Sequence, residues 1–278
     1  MASPGTSPGS LGHRLSRLRG RTKGRARDLL LGRPQPPDDW SPAGGPVLAI
    51  APHPDDEIIG CGGALLRHAA AGDPTTVVYL TSGGLSAGHP WLSERERAAR
   101  REQEAMASCA VLQTGPPVFL DATPGTLDRS PALAGELCRI LTQRRPKAVY
   151  VPHEAEANDD HAAAHRLLRG VFLGAPGLGT CTVFAYEVWT PVAANCAVDV
   201  SAVMRTKLRA LRCHRVALDA FNYVVTVRGL AAYRSGTMLG GRGYAEAFHR
   251  SSSSDGGPVS PTGPAAATSD SARSGPAP

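Results

Sequence analysis

No stretch of this 278-residue chain approaches the roughly 20 consecutive apolar residues that a membrane-spanning helix needs. The basic amino-terminal residues are followed by no proper apolar core of a signal peptide. Leu29-Leu30-Leu31 is too short, so a cytoplasmic location is expected. No CxxC pair is present. Cys61, Cys109, Cys138, Cys181, Cys196 and Cys213 are scattered, which suits free, mostly buried thiols. None of them stands in a nucleophile context. GxGxxG and Walker motifs are also missing, which argues against a nucleotide cradle.

What is present fits one α/β domain with tails. Hydrophobic residues make up 42% of the chain, enough for a core. The net charge of +6 is uneven: residues 1–40 hold eight Lys/Arg against Asp28, Asp38 and Asp39, so +5 of it lies there. Residues 1–44 therefore read as a basic, flexible extension. Such a segment could meet anionic lipid or nucleic acid, but a leader is the simpler reading and no nucleic-acid partner is expected. Residues 251–278 are Ser, Pro, Gly, Ala and Thr in low-complexity order and read as disordered. A catalytic body of 45–250, nearly neutral, is left. Whether it forms a homo-oligomer is left open.

Within that body strands and helices alternate. Strands are expected at 47–51, 77–80, 118–120, 148–151 and 183–189, with helices near 61–72, 92–112, 131–144, 159–173 and 203–212. This order predicts a Rossmann-like, mostly parallel sheet with helices on both faces. Gly83–Leu92, Asp121–Ser130 and Asn222–Gly243 are expected as loops rimming a cleft, the glycine-rich last one either a plain flexible loop or a mobile lid.

The most informative residues are His53-Pro54-Asp55-Asp56-Glu57. They lie between the apolar Val47–Ala51 and the glycine-rich Gly60-Cys61-Gly62-Gly63. Pro54 keeps His53 extended, so the strand ends there and delivers an imidazole and three carboxylates to a helix start. Adjacent acids repel, and a divalent cation resolves that cost. On a helical turn Asp55 and Asp56 point about 100° apart, so they take different tasks. One can bind metal with His53 while the other faces a water. The second apolar strand, Ala148–Pro152, is followed by His153, Glu154, Glu156, Asn158, Asp159, Asp160, His161 and His165. If both strands lie centrally in one parallel sheet, their carboxyl ends meet. Two His and one carboxylate with an open position make a catalytic zinc pattern. His165, beside Ala162-Ala163-Ala164, reads as structural.

The run Ala51–Glu57 followed by Gly60–Gly63 resembles the LmbE/PIG-L family of zinc-dependent N-deacetylases of N-acetylglucosamine-type sugars. Thr81-Ser82-Gly83-Gly84, Arg101 with Glu104, Asn158–His161, Tyr186–Trp189, Lys207 with His214, and Tyr244–Phe248 extend the likeness over about 45–250. The resemblance implies His53, Asp56 and His161 as zinc ligands, with another divalent metal such as Fe2+ as the alternative. It implies Asp55 as the base that activates zinc-bound water, and Arg101 as a substrate contact, unless it merely pairs with Glu104. Glu57 either orients a ligand or is an ordinary first-turn acid. Many members carry a histidine where this chain has Asn158. Asn can donate a hydrogen bond but carries no proton, so His153 or His214 becomes a candidate acid or substrate contact. Asp160 is expected to hold the tautomer of His161.

The chemistry implied is amide hydrolysis at carbon–nitrogen bonds other than peptide, releasing acetate from a small amino-sugar substrate. The Ala/Arg/Gly/Pro-rich composition suggests a high-GC bacterium, hence antibiotic or thiol biosynthesis as the setting. Two other classes compete. One is a phosphate-binding protein using the glycine-rich turn. The other is an inactive relative that binds carbohydrate through its metal, which Asn158 allows.

Overall fold

The computed structural model describes residues 38–254. Eight strands form one sheet in the order β1-β7-β8-β6-β5-β2-β3-β4. They are β1 Asp38–Asp39, β2 Val47–Ala51, β3 Thr75–Tyr79, β4 Val118–Phe119, β5 Ala148–Pro152, β6 Thr182–Tyr186, β7 Cys196–Asp199 and β8 Ala245–Ser252. Every pairing is parallel except those of β8 with β6 and β7. The described helices are α1 Asp56–Gly60, α2 Gly62–Ala70, α3 Glu94–Leu112, α4 Pro131–Arg144, α5 Asp159–Gly174, α6 Met204–Leu211, α7 Arg215–Ala220 and α8 Tyr223–Met238.

Why helices cover both faces can be seen in β2. Val47, Ala49 and Ala51 pack with residues of α1, α2, α3, α6 and α8. Leu48 and Ile50, pointing the other way, pack with Leu133, Leu137, Ala164, Leu167 and Leu168 of α4 and α5. A strand buried on both faces reads as a continuous apolar run, and its alternation is what splits the core into two layers. The expected fold class is therefore the observed one.

Two local expectations need correction. The 222–243 segment is not a loop: most of it is α8. Its β-branched start (Val224, Val225, Thr226) and Gly229 and Gly236 obscure a helical stripe, since the buried residues are Val227, Ala231, Arg234 and Ser235. The expected strand 183–189 stops at Tyr186, where the chain turns away from the sheet. The helix expected near 61–72 is present as α2, and a short further helix, α1, precedes it, the two being separated at Cys61, whose φ of −135° leaves the α region. The sheet also reaches past 45–250, because β1 lies at 38–39 and β8 runs to Ser252. Residues 40–44 and 253–254 of the two expected tails are described as well, and residues 1–37 and 255–278 lie outside the described residues. Among those described, no helix is long and apolar enough to cross a membrane.

Candidate metal centre and active site

β2 and β5 are neighbours in register, Val47 beside Ala148 and Ala49 beside Tyr150, so their carboxyl ends open at one point. His53 follows β2, Asp56 begins α1, and His161 lies in the first turn of α5. His53 Nδ1 is 3.1 Å and His161 Nε2 3.2 Å from the same oxygen, Asp56 Oδ2. One ligand atom from each residue lies within 4.8 Å of the others. Two imidazoles around a buried carboxylate are a donor set for a divalent cation, and the residues present fit one. Without a cation the imidazoles hold protons. His53 is raised to about 9 and His161 to about 10: burial pushes each down, but the carboxylates of Asp160 and Asp56 for the first, and of Asp56 and Glu156 for the second, outweigh it. Burial pushes Asp56 up, and the two imidazoles reverse that, holding it well below the usual carboxylate range.

Asp55 sits beside this triangle in a backbone state that side chains avoid, φ 135° and ψ −22°. Such a conformation costs about 1–3 kcal/mol and is held only by its surroundings. Here Glu57 Oε2 accepts the Asp55 N–H at 3.3 Å, and Arg101 Nη2 donates to Asp55 Oδ1 at 3.0 Å. Arg101, itself buried, also donates to the carbonyls of Pro54 and Gly83. Gly83 has φ +65°, and a Cβ there would lie 2.5 Å from Arg101 Nη1, so only glycine lets the guanidinium pass. Burial lifts the Asp55 carboxyl to about 6, with Arg101 opposing. A carboxylate near 6 is suited to proton transfer at neutral pH.

These groups line a cleft of about 340 Å³. His53, Asp55, Asp56, Arg101, Asn158, Asp160 and His161 all border it, as do Trp189 and Tyr223. Gly83, Leu85, Ser86 and Ala87 form one rim and Pro124 another, so the first two expected loops do edge the cleft.

The model of the family described as PIG-L: GlcNAc-PI de-N-acetylase matches residues 48–172, the stretch that carries all three candidate ligands. The solved structure of a conserved protein from Thermus thermophilus is 30% identical, with a TM-score of 0.63 over 73% of this chain and 93% of that one. The chain belongs to the PIG-L (LmbE-like) family. A diacetylchitobiose deacetylase of Thermococcus kodakarensis is 29% identical over 60% of this chain and 68% of its own length. A 1D-myo-inositol 2-acetamido-2-deoxy-alpha-D-glucopyranoside deacetylase of Nocardia farcinica is 32% identical over 46% of this chain and about half (51%) of its own length.

Against the family pattern, several side chains take places the sequence does not reveal. Asp160 reaches His53 Nε2 at 3.3 Å, not His161, while its other oxygen accepts the Gly125 N–H at 2.6 Å. Neighbours on a helix point about 100° apart, so Asp160 cannot lie behind His161. The carboxylate facing His161 Nδ1 is that of Glu156, whose Oε2 is 3.7 Å away, too far for a hydrogen bond. Glu156 instead accepts the N–H groups of Val188, Trp189 and Thr190 and so fixes the turn carrying Trp189. Burial raises its pKa, but His153, His161 and the backbone donors bring it to about 2. Asn158 caps α5, its Oδ1 accepting the N–H groups of Asp160 and His161.

His153 and His214 do not border the cleft. His153 donates from Nε2 to the Thr190 carbonyl and accepts at Nδ1 from Ala155. His214 is buried behind the site, both ring nitrogens unpartnered, 3.8 Å from Glu57 Oε1. Burial, then Arg101, lowers it to about 3. Arg101 makes no pair with Glu104, which accepts from Val216 N and Arg100 instead. His165 donates to the Pro152 carbonyl, a structural role. Glu57 is likewise internal: Tyr79 donates to it at 2.7 Å, and burial lifts it to about 8.

The glycine-rich turn has its own answer. The N–H groups of Gly63 and Ala64, at the start of α2, donate to Glu246 at 2.6 and 2.8 Å, and Lys207 Nζ lies 2.6 Å from the same carboxylate. An internal anion already fills the position a phosphate would take.

Proposed function

We propose that this protein is a metal-dependent hydrolase that removes the N-acetyl, or N-acyl, group from an N-acetylglucosamine-type amino sugar, with residues 45–250 as its catalytic body. The observation that carries the reading is Asp55, strained, buried and tuned to about 6, beside the His53, Asp56 and His161 donor set. Names of relatives support the substrate class: one acts on diacetylchitobiose and another on an inositol-linked acetamido sugar.

His53, Asp56 and His161 would hold the cation, and zinc is the metal we assign. Bound there, it would acidify a water and polarise an amide carbonyl. The chain's own residues do the rest. Asp55 takes a proton as the water oxygen attacks the amide carbon. The same proton is returned to the nitrogen as the C–N bond breaks, giving acetate and a free amine. Arg101 holds Asp55 in place and keeps its pKa from rising further. Asn158, its carbonyl spent on the helix cap, offers an amide N–H to the developing oxyanion. Asp160 orients His53.

The test is metal content by elemental analysis together with acetate release from a panel of N-acetylglucosaminyl compounds. Near-stoichiometric zinc, lost in His161→Ala, and acetate release lost in both His161→Ala and Asp55→Ala are expected. Zinc with no turnover on any compound would favour the second reading, a metal-dependent carbohydrate-binding protein, which Asn158 in place of a proton carrier motivates. Metal-free protein prepared without chelators would overturn both.

A further inference from the structure

Large apolar side chains are exposed at eight places among the described residues, and four of them, Leu85, Trp189, Phe221 and Tyr233, lie in or beside the cleft. Trp189 and Leu85 line the cleft itself, Phe221 packs against Trp189, and Tyr233 lines a second cavity that Trp189 also borders. Single exposed hydrophobes are ordinary, but a contiguous patch marks a binding surface. Trp189, Phe221 and Tyr223 form a cluster of edge-to-face and tilted rings with centroids 5.0–5.6 Å apart, so two rings brace Trp189. Its backbone is braced too, by Glu156.

Trp189 borders two cavities at once. One is the cleft with the candidate ligands. The other, about 250 Å³, runs between the 187–191 turn and α8, along Val188, Pro191, Leu230, Gly229 and Tyr233. The single acid on its wall, Glu187, is consumed: Arg234 grips both its oxygens, and Val192 N–H donates to one. Arg234 in turn is spent on Glu187 and the Val192 carbonyl. The groove thus offers mainly aromatic and aliphatic walls, with Thr190 and Thr226 beside them, and no free charge.

From this we infer that the substrate's aglycone, the part beyond the reacting amino sugar, is an uncharged, largely apolar group that crosses Trp189 and lies in the Trp189–Tyr233 groove. The inference rests on the hydrolase reading, since that reading puts the sugar in the adjoining cleft. A phosphate-bearing or carboxylate-bearing aglycone would find no cation there and would lose its hydration.

The test uses the metal-loaded full chain and a series of N-acetylglucosamine glycosides with methyl, butyl and hexyl aglycones, plus one with a phosphorylated alkyl aglycone. Each methylene seated in the groove should raise kcat/KM by up to about fourfold. So the hexyl compound should exceed the methyl compound by about tenfold or more. Two variants remove the preference without touching the cleft. Tyr233→Ala strips one wall. Gly229→Gln fills the groove, where a Cβ meets nothing within 4 Å. Both should leave methyl-glycoside turnover unchanged and flatten the series. Equal rates for methyl and hexyl, a preference that survives both variants, or the phosphorylated compound as best substrate would overturn the inference. If no compound releases acetate, binding of the hexyl and methyl glycosides by calorimetry still decides. Tighter hexyl binding, weakened in both variants, supports the groove while the hydrolase reading fails. Equal binding sinks the groove as well.

Discussion

Two histidine–carboxylate clusters lie at opposite ends of the same half of the sheet, and they are built on opposite plans. At the far end of α2, His68 sits between Asp73 Oδ2 at 2.7 Å and the Tyr150 hydroxyl at 2.9 Å. Trp40 Nε1 donates to that hydroxyl, and Asp73 also accepts the N–H groups of Ala43 and Gly45. Both nitrogens of His68 are used, and burial lowers its pKa. At the carboxyl end of β2, by contrast, His161 Nδ1 has no partner, Asp55 is strained, and burial has lifted its carboxyl to about 6. A closed polar network stabilises one fold; an open one costs stability and leaves capacity for a ligand. The residue types are the same, so composition does not separate them. Satisfaction does.

The sharpest way to break the comparison is to remove charge from the open cluster while keeping its shape. Asp55→Asn should lower kcat by about 10²–10⁴, the range of general acid–base catalysis. It should change Tm little, because Asn tolerates the positive φ and its amide oxygen can still accept from Arg101, which also keeps the Pro54 and Gly83 carbonyls as acceptors. Melting curves and steady-state rates on one preparation check this. A loss of stability matching the loss of rate would make Asp55 a structural acid like Asp73.

A third buried acid sharpens the contrast. Glu246, paired with Lys207 and two N–H groups at the start of α2, is wholly internal although α2 follows directly on the helix that Asp56 begins. Lys207→Met should cost about 3–5 kcal/mol in urea unfolding, because it strands a buried carboxylate. Lys207→Met combined with Glu246→Gln should recover part of that. If the single variant is as stable as wild type, Glu246 is not held as an ion. Smaller again is Gly83→Ala. Its positive φ and the 2.5 Å approach to Arg101 should cost about 1–2 kcal/mol and, by displacing the guanidinium from Asp55, lower kcat more than it raises KM.

That His53, Asp56 and His161 come together was legible because they follow two apolar runs, and parallel neighbours bring such ends together. Their helpers were not. Asp160 and His161 are adjacent in sequence, and only the helix phase decides which of them meets Asp56 and which meets His53. Glu156 shows no motif at all: it works through three backbone N–H groups some thirty residues away, a pairing set by where β6 ends. α8 was obscured because β-branched residues and glycines weigh against helix in isolation, and packing of the Val227–Ala231–Arg234–Ser235 stripe overrides them. Local chemistry was readable from the chain; contacts fixed by helix phase and by strand ends far apart were not.

The closed cluster makes the smallest and most specific prediction. Folded His68 has a pKa below its ordinary value, so the unfolded chain binds that proton more readily. The stability His68 contributes is then fully present above about pH 6.5, the ordinary histidine value, and is lost as pH falls through the folded pKa. Replacing it by His68→Gln removes this proton linkage and about 1 kcal/mol of hydrogen bonding. The Tm gap between wild type and His68→Gln should therefore be wider at pH 8 than at pH 5, with metal and salt held constant. Turnover per folded molecule should be the same in both. A gap that widens on acidification would mean that Asp73 holds His68 as an imidazolium. The two clusters would then differ in position, not in the way their charges are satisfied.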